Sequence, residues 1–354
     1  MNQGMQQDIT PTNEIKRCPP HRMEMEGQQI LKVRDDRIDS VKYWLVVLVI
    51  AGHVLMRKEF AESTACAVVW NWIYMFHMPL FIFISGYFSR KKDMKNFLPS
   101  IWKLSEPLIL FHIIGLLFYV ESVSLKTLLI PWHMLWYLLS LIYWRLMLQF
   151  IPDKILKHTK IVIISTFCIS ILAGFLPIDR ALSLQRTLSF MPFFFLGYYM
   201  RGNNLYLPDK YKPFSIIFLM VIFVILFFFP HRMRYLLHAH PYHNINGVAI
   251  RVIAFSLAVL MSIAFMNICY NTPWIAQQGR MSLQYYIYHA LLIPSSSSLI
   301  IPPFIAIFAA MSIQMTFITA LVIITATTLL IAIALKIPYV KMMTNPSLFF
   351  EKKS

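Results

Sequence analysis

From Val41 to Ile337 the chain is a succession of apolar runs, most of them close to the ~20 residues that carry a helix across a bilayer. Short polar stretches separate them. In hydrocarbon the backbone must pair within its own segment, so each run is read as a membrane helix. The composition agrees: 58% of the residues are hydrophobic and 14% charged, with a mean hydropathy of +0.60. Such values lie outside the range of ordinary soluble domains. The expectation is an all-α integral membrane protein of about ten transmembrane helices.

The expected helices cover about 41–56, 66–88, 100–120, 134–151, 160–177, 186–200, 213–230, 247–270, 281–300 and 303–337. The last exceeds one crossing and is expected to tilt or break near Lys336-Ile337-Pro338. A net charge of +16 would suggest nucleic acid in a soluble protein. Here the basic residues crowd into alternate loops, "SRKKDMK", "DKILKHTK" and "PDKYK". That is the positive-inside pattern, and no nucleic-acid partner is implied. Both termini are expected in the cytoplasm, with the protein multi-pass in the inner (plasma) membrane. Residues 1–35 form a polar cytoplasmic tail without the pattern of a signal peptide. Residues 36–340 form the membrane domain, and 341–354 a short basic cytoplasmic tail.

Cys18, Cys66, Cys168 and Cys269 show no paired spacing, so neither a disulfide framework nor a thiolate metal site is indicated. The segment Pro230 to Arg251 is basic although it falls on the external side. Its histidines, His231, His238, His240 and His243, lack the spacing of a helical zinc pair. A loop that handles a polar ligand is the better reading, and no metal is expected.

Polar residues inside the apolar runs carry the functional signal. At about 100° per residue, Lys42 and His53 share one helix face, and Asp39 falls on nearly the same stripe. Lys42 and His53 are roughly 16 Å apart along the axis. Asp39 and Lys42 have a bland reading as interfacial caps, and His53 as a hydrogen-bonded core histidine, but an ionisable group at membrane depth is expensive and usually functional. His77 precedes Pro79 in the second run, and Ser85-Gly86 permits close approach of a neighbour. Arg90, Lys91 and Lys92 follow; they are either a topology signal or a phosphate-binding cluster. Glu106, His133, Arg145, Arg280 and His289 are further polar groups in or beside the later runs, and Trp136 sits at the end of one. Neutral imidazole suits removal of a proton from a hydroxyl, which favours chemistry over transport.

Five motifs in order, "RIDSVKYWLVVLVIAGH", "FHMPLFIFISGYF", "WHMLWYL", "SFMPFFFLGYY" and "GRMSLQYYIYH", resemble those of the acyltransferase-3 family of integral-membrane O-acyltransferases. The opening motif resembles especially its fucose 4-O-acetylase-like branch. It covers about residues 35 to 340, with lysine at Lys42 where many members carry arginine. The resemblance implies acetyl-CoA as acyl-donor cosubstrate, with no permanently bound cofactor, and a hydroxyl of a cell-surface or lipid-linked glycan as acceptor. His53 is the expected general base and His77 the expected partner for thioester or acceptor, while Asp39 and Lys42 shape the cytoplasmic mouth. Arg90, Lys91, Lys92 and Ser85 are the expected donor contacts, and Trp136, Arg280 and His289 the expected substrate contacts. Asp39 is no relay partner for His53, because fourteen residues of straight helix separate them by roughly 21 Å. The alternative is an exporter or flippase of a glycan or lipid-linked sugar.

Overall fold

A computed structural model describes residues 35–344, apart from 61, 120–122, 177–180, 230, 243 and 294–316. The chain divides into Met1–Arg34 and Asp35–Ser354. The expected N-terminal tail, most of the C-terminal tail and the Pro302-Pro303 turn therefore lie outside the described residues. Among the described residues all regular structure is helical. Helix α1 is Asp36–Leu55, α2 Thr64–Tyr87, α3 Met94–Tyr119, α4 Leu125–Leu129, α5 Trp136–Phe150, α6 Asp153–Leu156 and α7 Thr159–Leu172. Then follow α8 Leu184–Tyr199, α9 Lys212–Ile225, α10 Asn246–Ile268, α11 Pro273–Gly279, α12 Ser282–Leu292, α13 Phe317–Ala334 and α14 Pro338–Met343.

Six helical segments are long and apolar enough to cross a membrane: Asp36–Leu55, Thr64–Tyr87, Met94–Phe118, Asp209–Phe228, Asn246–Ile268 and Phe317–Ala334. The expectation of about ten counted shorter runs as well, α5, α7, α8 and the segment begun by α12. The first three have 14 to 16 residues, roughly 21–24 Å of helix, short of the ~30 Å hydrocarbon core.

Helix α1 starts five residues before the apolar run because Asp35 caps it, accepting from the backbone N–H groups of Arg37 at 2.9 Å and Ile38 at 3.2 Å. Asp39 and Lys42 thus lie within the helix. A residue of the same turn, Arg37, donates to the carbonyls of Asn267 and Cys269 at 3.0 and 2.9 Å. It closes the C-terminal end of α10, where a cation and a donor are both favourable. Helix α11 had no counterpart among the expected helices; it begins at Pro273, whose ring fits the first helical position. The expected break before Pro338 lies between α13 and α14.

Helices α1 and α2 are mostly buried, whereas α9 presents its apolar side chains outward, as a lipid-facing helix does. Helix α2 packs on α8, α1 and α10. Its crossing with α8 is a backbone contact. A Cβ at Gly86 would stand 1.9 Å from the carbonyl oxygen of Phe194, and one at Gly197 would stand 1.9 Å from that of Phe83. Two glycines on facing helices let the axes approach and bring side chains further along them into one cavity. Gly197→Val forces these backbones apart; it should cost about 1–3 kcal/mol and lower the unfolding temperature of the solubilised protein.

Candidate active site

One end of α1 is electrostatic. Asp39 is buried, with its carboxylate 2.5 Å from the Lys42 ammonium and 3.6 Å from Arg280 Nε. The Arg280 guanidinium also bonds Asp36 at 2.7 Å. Gly279 lies against the Asp39 backbone, where a Cβ would meet the carbonyl oxygen at 1.7 Å. These contacts fasten α1 to the α11–α12 junction. Asp39, Lys42 and Arg280, expected at the site, are thus joined to one another at the end of α1 remote from His53.

The same end carries the basic segment after α2. Lys91 is engaged by the Asp153 carboxylate at 2.7 Å and the Ile151 carbonyl. The Gln149 amide holds the Lys92 backbone through both of its atoms, at 3.2 and 2.8 Å. Burial, with the like charges of Arg145, Arg90 and Lys103, lowers the Lys92 ammonium below its usual value. A cluster of cations that repel one another suits a polyanion. Ser85 donates to the Phe81 carbonyl at 2.9 Å and so receives the Tyr137 hydroxyl at 2.6 Å; its polar atom is engaged within the bundle.

The opposite end of the bundle holds a cavity of about 540 Å³, within the usual range for small-molecule sites. His53 of α1 and Met56 just after it, Trp70, Tyr74 and His77 of α2, and Tyr286 of α12 line it. His133 and Trp136 enter before and at the start of α5, and Ser183, Gln185 and Arg186 at the start of α8. Arg232, Arg234 and His240 come from the segment between α9 and α10. Sequence reading placed His53, His77 and Trp136 here. It missed Arg186, Gln185 and Ser183, which follow no recognised motif, and left the loop arginines as a basic anomaly.

The imidazoles have defined roles. His77 Nδ1 lies 2.8 Å from the Ile73 carbonyl and His289 Nδ1 3.2 Å from that of Tyr285. A carbonyl only accepts, so each Nδ1 carries the proton and each Nε2 presents its lone pair. His289 is fully buried behind the wall, its Nε2 without a partner, and its ring centroid stands 5.4 Å from that of His53. Tyr74 stands between His53 and His77, at 6.4 and 4.7 Å.

A second set of contacts builds the mouth. Asn71, fully buried on α2, donates to the carbonyls of Phe229 and His231 at 3.3 and 2.9 Å. It accepts from the Met233 backbone at 2.8 Å. One side chain thereby pins the strip that carries Arg232 and Arg234. Trp136 fixes Arg186, whose guanidinium lies 4.9 Å from the indole.

Strain gathers here as well. The described non-glycine residues with left-handed backbone are His133, Leu182, Ser183 and His238, at φ 47, 51, 57 and 48°. His133 and Ser183 line the cavity, and the other two adjoin lining residues. Each such residue costs on the order of 1–3 kcal/mol, and strain of this kind collects at functional sites. Among the described residues no group of His, Cys, Asp or Glu could hold a metal ion.

These features define a helical membrane protein with an imidazole-walled cavity at one end. A family model described as an acyltransferase domain matches residues 35–337. The chain belongs to that acyltransferase-3 family and is a membrane acyltransferase. No curated protein and no solved structure matches it. Asp39→Ala leaves Lys42 and Arg280 facing each other and should destabilise the protein by about 3 kcal/mol; thermal unfolding of the solubilised protein measures it.

Proposed function

We propose that the protein moves an acetyl group from acetyl-CoA to a hydroxyl of a cell-surface or lipid-linked glycan, as a member of the fucose 4-O-acetylase-like branch. The observation that carries this reading is His53, partly exposed at the cavity wall with two tautomer-fixed imidazoles beside it. A hydroxyl standing in the cavity loses its proton to His53 and attacks the thioester carbonyl. The C–S bond breaks, the acetyl ester forms, and the proton passes from His53 to the departing thiolate. The Nε2 lone pair of His77, at the cavity wall, accepts from the acceptor hydroxyl, and that of His289, behind the wall, accepts from protonated His53. Trp136 offers an aromatic surface to a sugar ring, and the enclosure limits hydrolysis of the thioester by water.

The donor's phosphates belong at the other end of the bundle, with Arg90, Lys92, Lys103 and Arg145, where like charges already repel. By the positive-inside rule that end is cytoplasmic, the side on which acetyl-CoA is made. The cavity then opens on the far side of the plasma membrane. About ten crossings with both termini cytoplasmic satisfy the loop charges, with the shorter helices α5, α7 and α8 and the segment begun by α12 completing the count.

Purified protein supplied with acetyl-labelled acetyl-CoA and glycan tests the reading. His53→Ala should lower label transfer roughly 10²–10⁴-fold with the unfolding temperature unchanged; transfer at the wild-type rate would remove His53 as the base. Glycan movement across vesicles without bound CoA would favour the exporter. Arg90→Gln with Lys92→Gln should raise KM for acetyl-CoA about ten-fold and leave kcat nearly constant, the pattern of a binding contact made equally in ground and transition states.

A further inference from the structure

The cavity has a charge character that acyl transfer to a plain hydroxyl does not require. Three guanidiniums, Arg186, Arg232 and Arg234, line it together with four side chains that can donate or accept, His53, His77, His133 and His240. Among the described residues no carboxylate lines it. The nearby Glu59 is joined to Arg57 at 2.8 Å.

The contacts of Arg232 are with neutral groups. Arg232 donates to the carbonyl of Phe60 at 2.8 Å and that of Arg57 at 3.4 Å, while its Nε has no partner. Arg186 donates to the Leu237 carbonyl at 3.3 Å and rests on Trp136. Arg234 is exposed at the rim. Carbonyls orient the Arg232 guanidinium and leave its charge uncompensated. Two of the three arginines sit on the strip that Asn71 pins with three hydrogen bonds. The chain has spent a buried amide to hold like charges together at a cavity mouth.

The wall also carries polar atoms with no partner in the protein: Ser183 Oγ, Gln185 Oε1, Trp70 Nε1 and Tyr74 Oη. Unpaired groups of this kind are costly, and wherever they collect on one wall a polar occupant that pairs with them is favoured. Hydroxyl-rich chemistry suits them. A guanidinium fork suits a phosphate or a carboxylate.

Building on the acyltransferase reading above, we propose that this cavity is an acceptor subsite for an anionic sugar. The phosphate or carboxylate carried by the sugar is held by Arg232, Arg234 and Arg186, its hydroxyls by the unpaired wall groups, and the hydroxyl to be acylated faces His53. The acceptor class is therefore a uronic-acid or phosphate-bearing glycan in preference to a neutral one. The same phosphate chemistry could arrive with CoA, so the test separates the two sources.

The full-length protein in detergent is titrated calorimetrically, without acetyl-CoA, against glucuronic acid, glucose 1-phosphate and glucose, and separately against desulfo-CoA. The wild type should bind the two charged sugars at least about ten-fold more tightly than glucose, the scale expected for charge-assisted hydrogen bonds. The preference should shrink as salt is raised. Arg234→Gln, at an exposed position where folding is not at stake, should remove most of the preference while leaving glucose and desulfo-CoA binding unchanged, and Arg234→Lys should restore part of it. Equal affinity for glucose and glucuronic acid in the wild type overturns the proposal. So does a desulfo-CoA affinity that falls in Arg234→Gln while sugar preference stays constant, which would give these arginines to the donor. Binding is read without turnover, so the two readings fail separately. Charged-sugar binding without label transfer removes the enzyme reading and supports this one. Label transfer to neutral glycan, with no charged-sugar preference, does the reverse.

Discussion

The contact on which the rest depends is the crossing of α2 and α8, where Gly86 meets the Phe194 backbone and Gly197 the Phe83 backbone. Between membrane helices there is no hydrophobic gain from leaving water, so association rests on close packing and on polar contacts made inside the bundle. Two glycines let the α2 and α8 backbones come into direct contact. Helix α2 then presents His77 and Tyr74 to one cavity, and the start of α8 presents Gln185 and Arg186 to the same space. Polar contacts lock the pair to their neighbours: the Ser140 hydroxyl meets that of Thr187 at 2.7 Å, and Trp144 donates to the Thr187 carbonyl at 2.9 Å. The cavity is thus a consequence of a crossing made elsewhere.

Helix α1 divides its labour by position. Its first turns carry ion pairs that attach it to α11 and α12, and its last turn carries His53 into the cavity. The apolar turns between are buried, among them Leu45, Val46, Val49 and Ile50. The stripe of Asp39, Lys42 and His53 that the sequence places on one face is therefore one rigid rod with an anchor at one end and an imidazole at the other. The helix is continuous from Asp36 to Leu55, so the anchor fixes the position of the whole rod. That gives Asp39 and Lys42 a bearing on the site without contact with it.

Apolar run length and periodicity were sufficient to locate the long helices, because a membrane helix is specified by little else. They misplaced the start of α1, where Asp35 supplies a cap that hydropathy does not register, and they passed over α11, seven residues with two glutamines. His53 and His77 were legible because an imidazole in an apolar run is conspicuous. Arg186 and Gln185 were not: they stand at a helix start, where polar residues are ordinary, and only the α2–α8 crossing turns them inward. The loop arginines were visible as a basic stretch on the less basic side. Their meaning depends on Asn71, a single amide in a run of aromatics whose three hydrogen bonds reach residues more than 150 positions away.

On the reading proposed above, a cytosolic thioester is joined to an acceptor beyond the bilayer, and this poses a problem of charge. Both partners can be anionic, and neither anion crosses hydrocarbon readily. The fold meets this by keeping the cationic groups at opposite ends: Arg90, Lys92, Lys103 and Arg145 beside the start of α3, and Arg186, Arg232 and Arg234 around the cavity. Between them lie aromatic rings, Phe81, Tyr137 and Tyr286, in mutual contact at 5.3 to 6.3 Å between centroids. In such an arrangement neither set of phosphates or carboxylates needs to enter the apolar interior. On the proposed reading only the neutral parts must meet, the acetyl thioester on its slender arm and one hydroxyl of the acceptor. His53 stands at the cavity wall, where, on the same proposal, a proton has to move and a net charge does not. The strained backbone of His133, Leu182, Ser183 and His238 gathers around the same point, which is where a fold concerned only with stability would have the least reason to hold it.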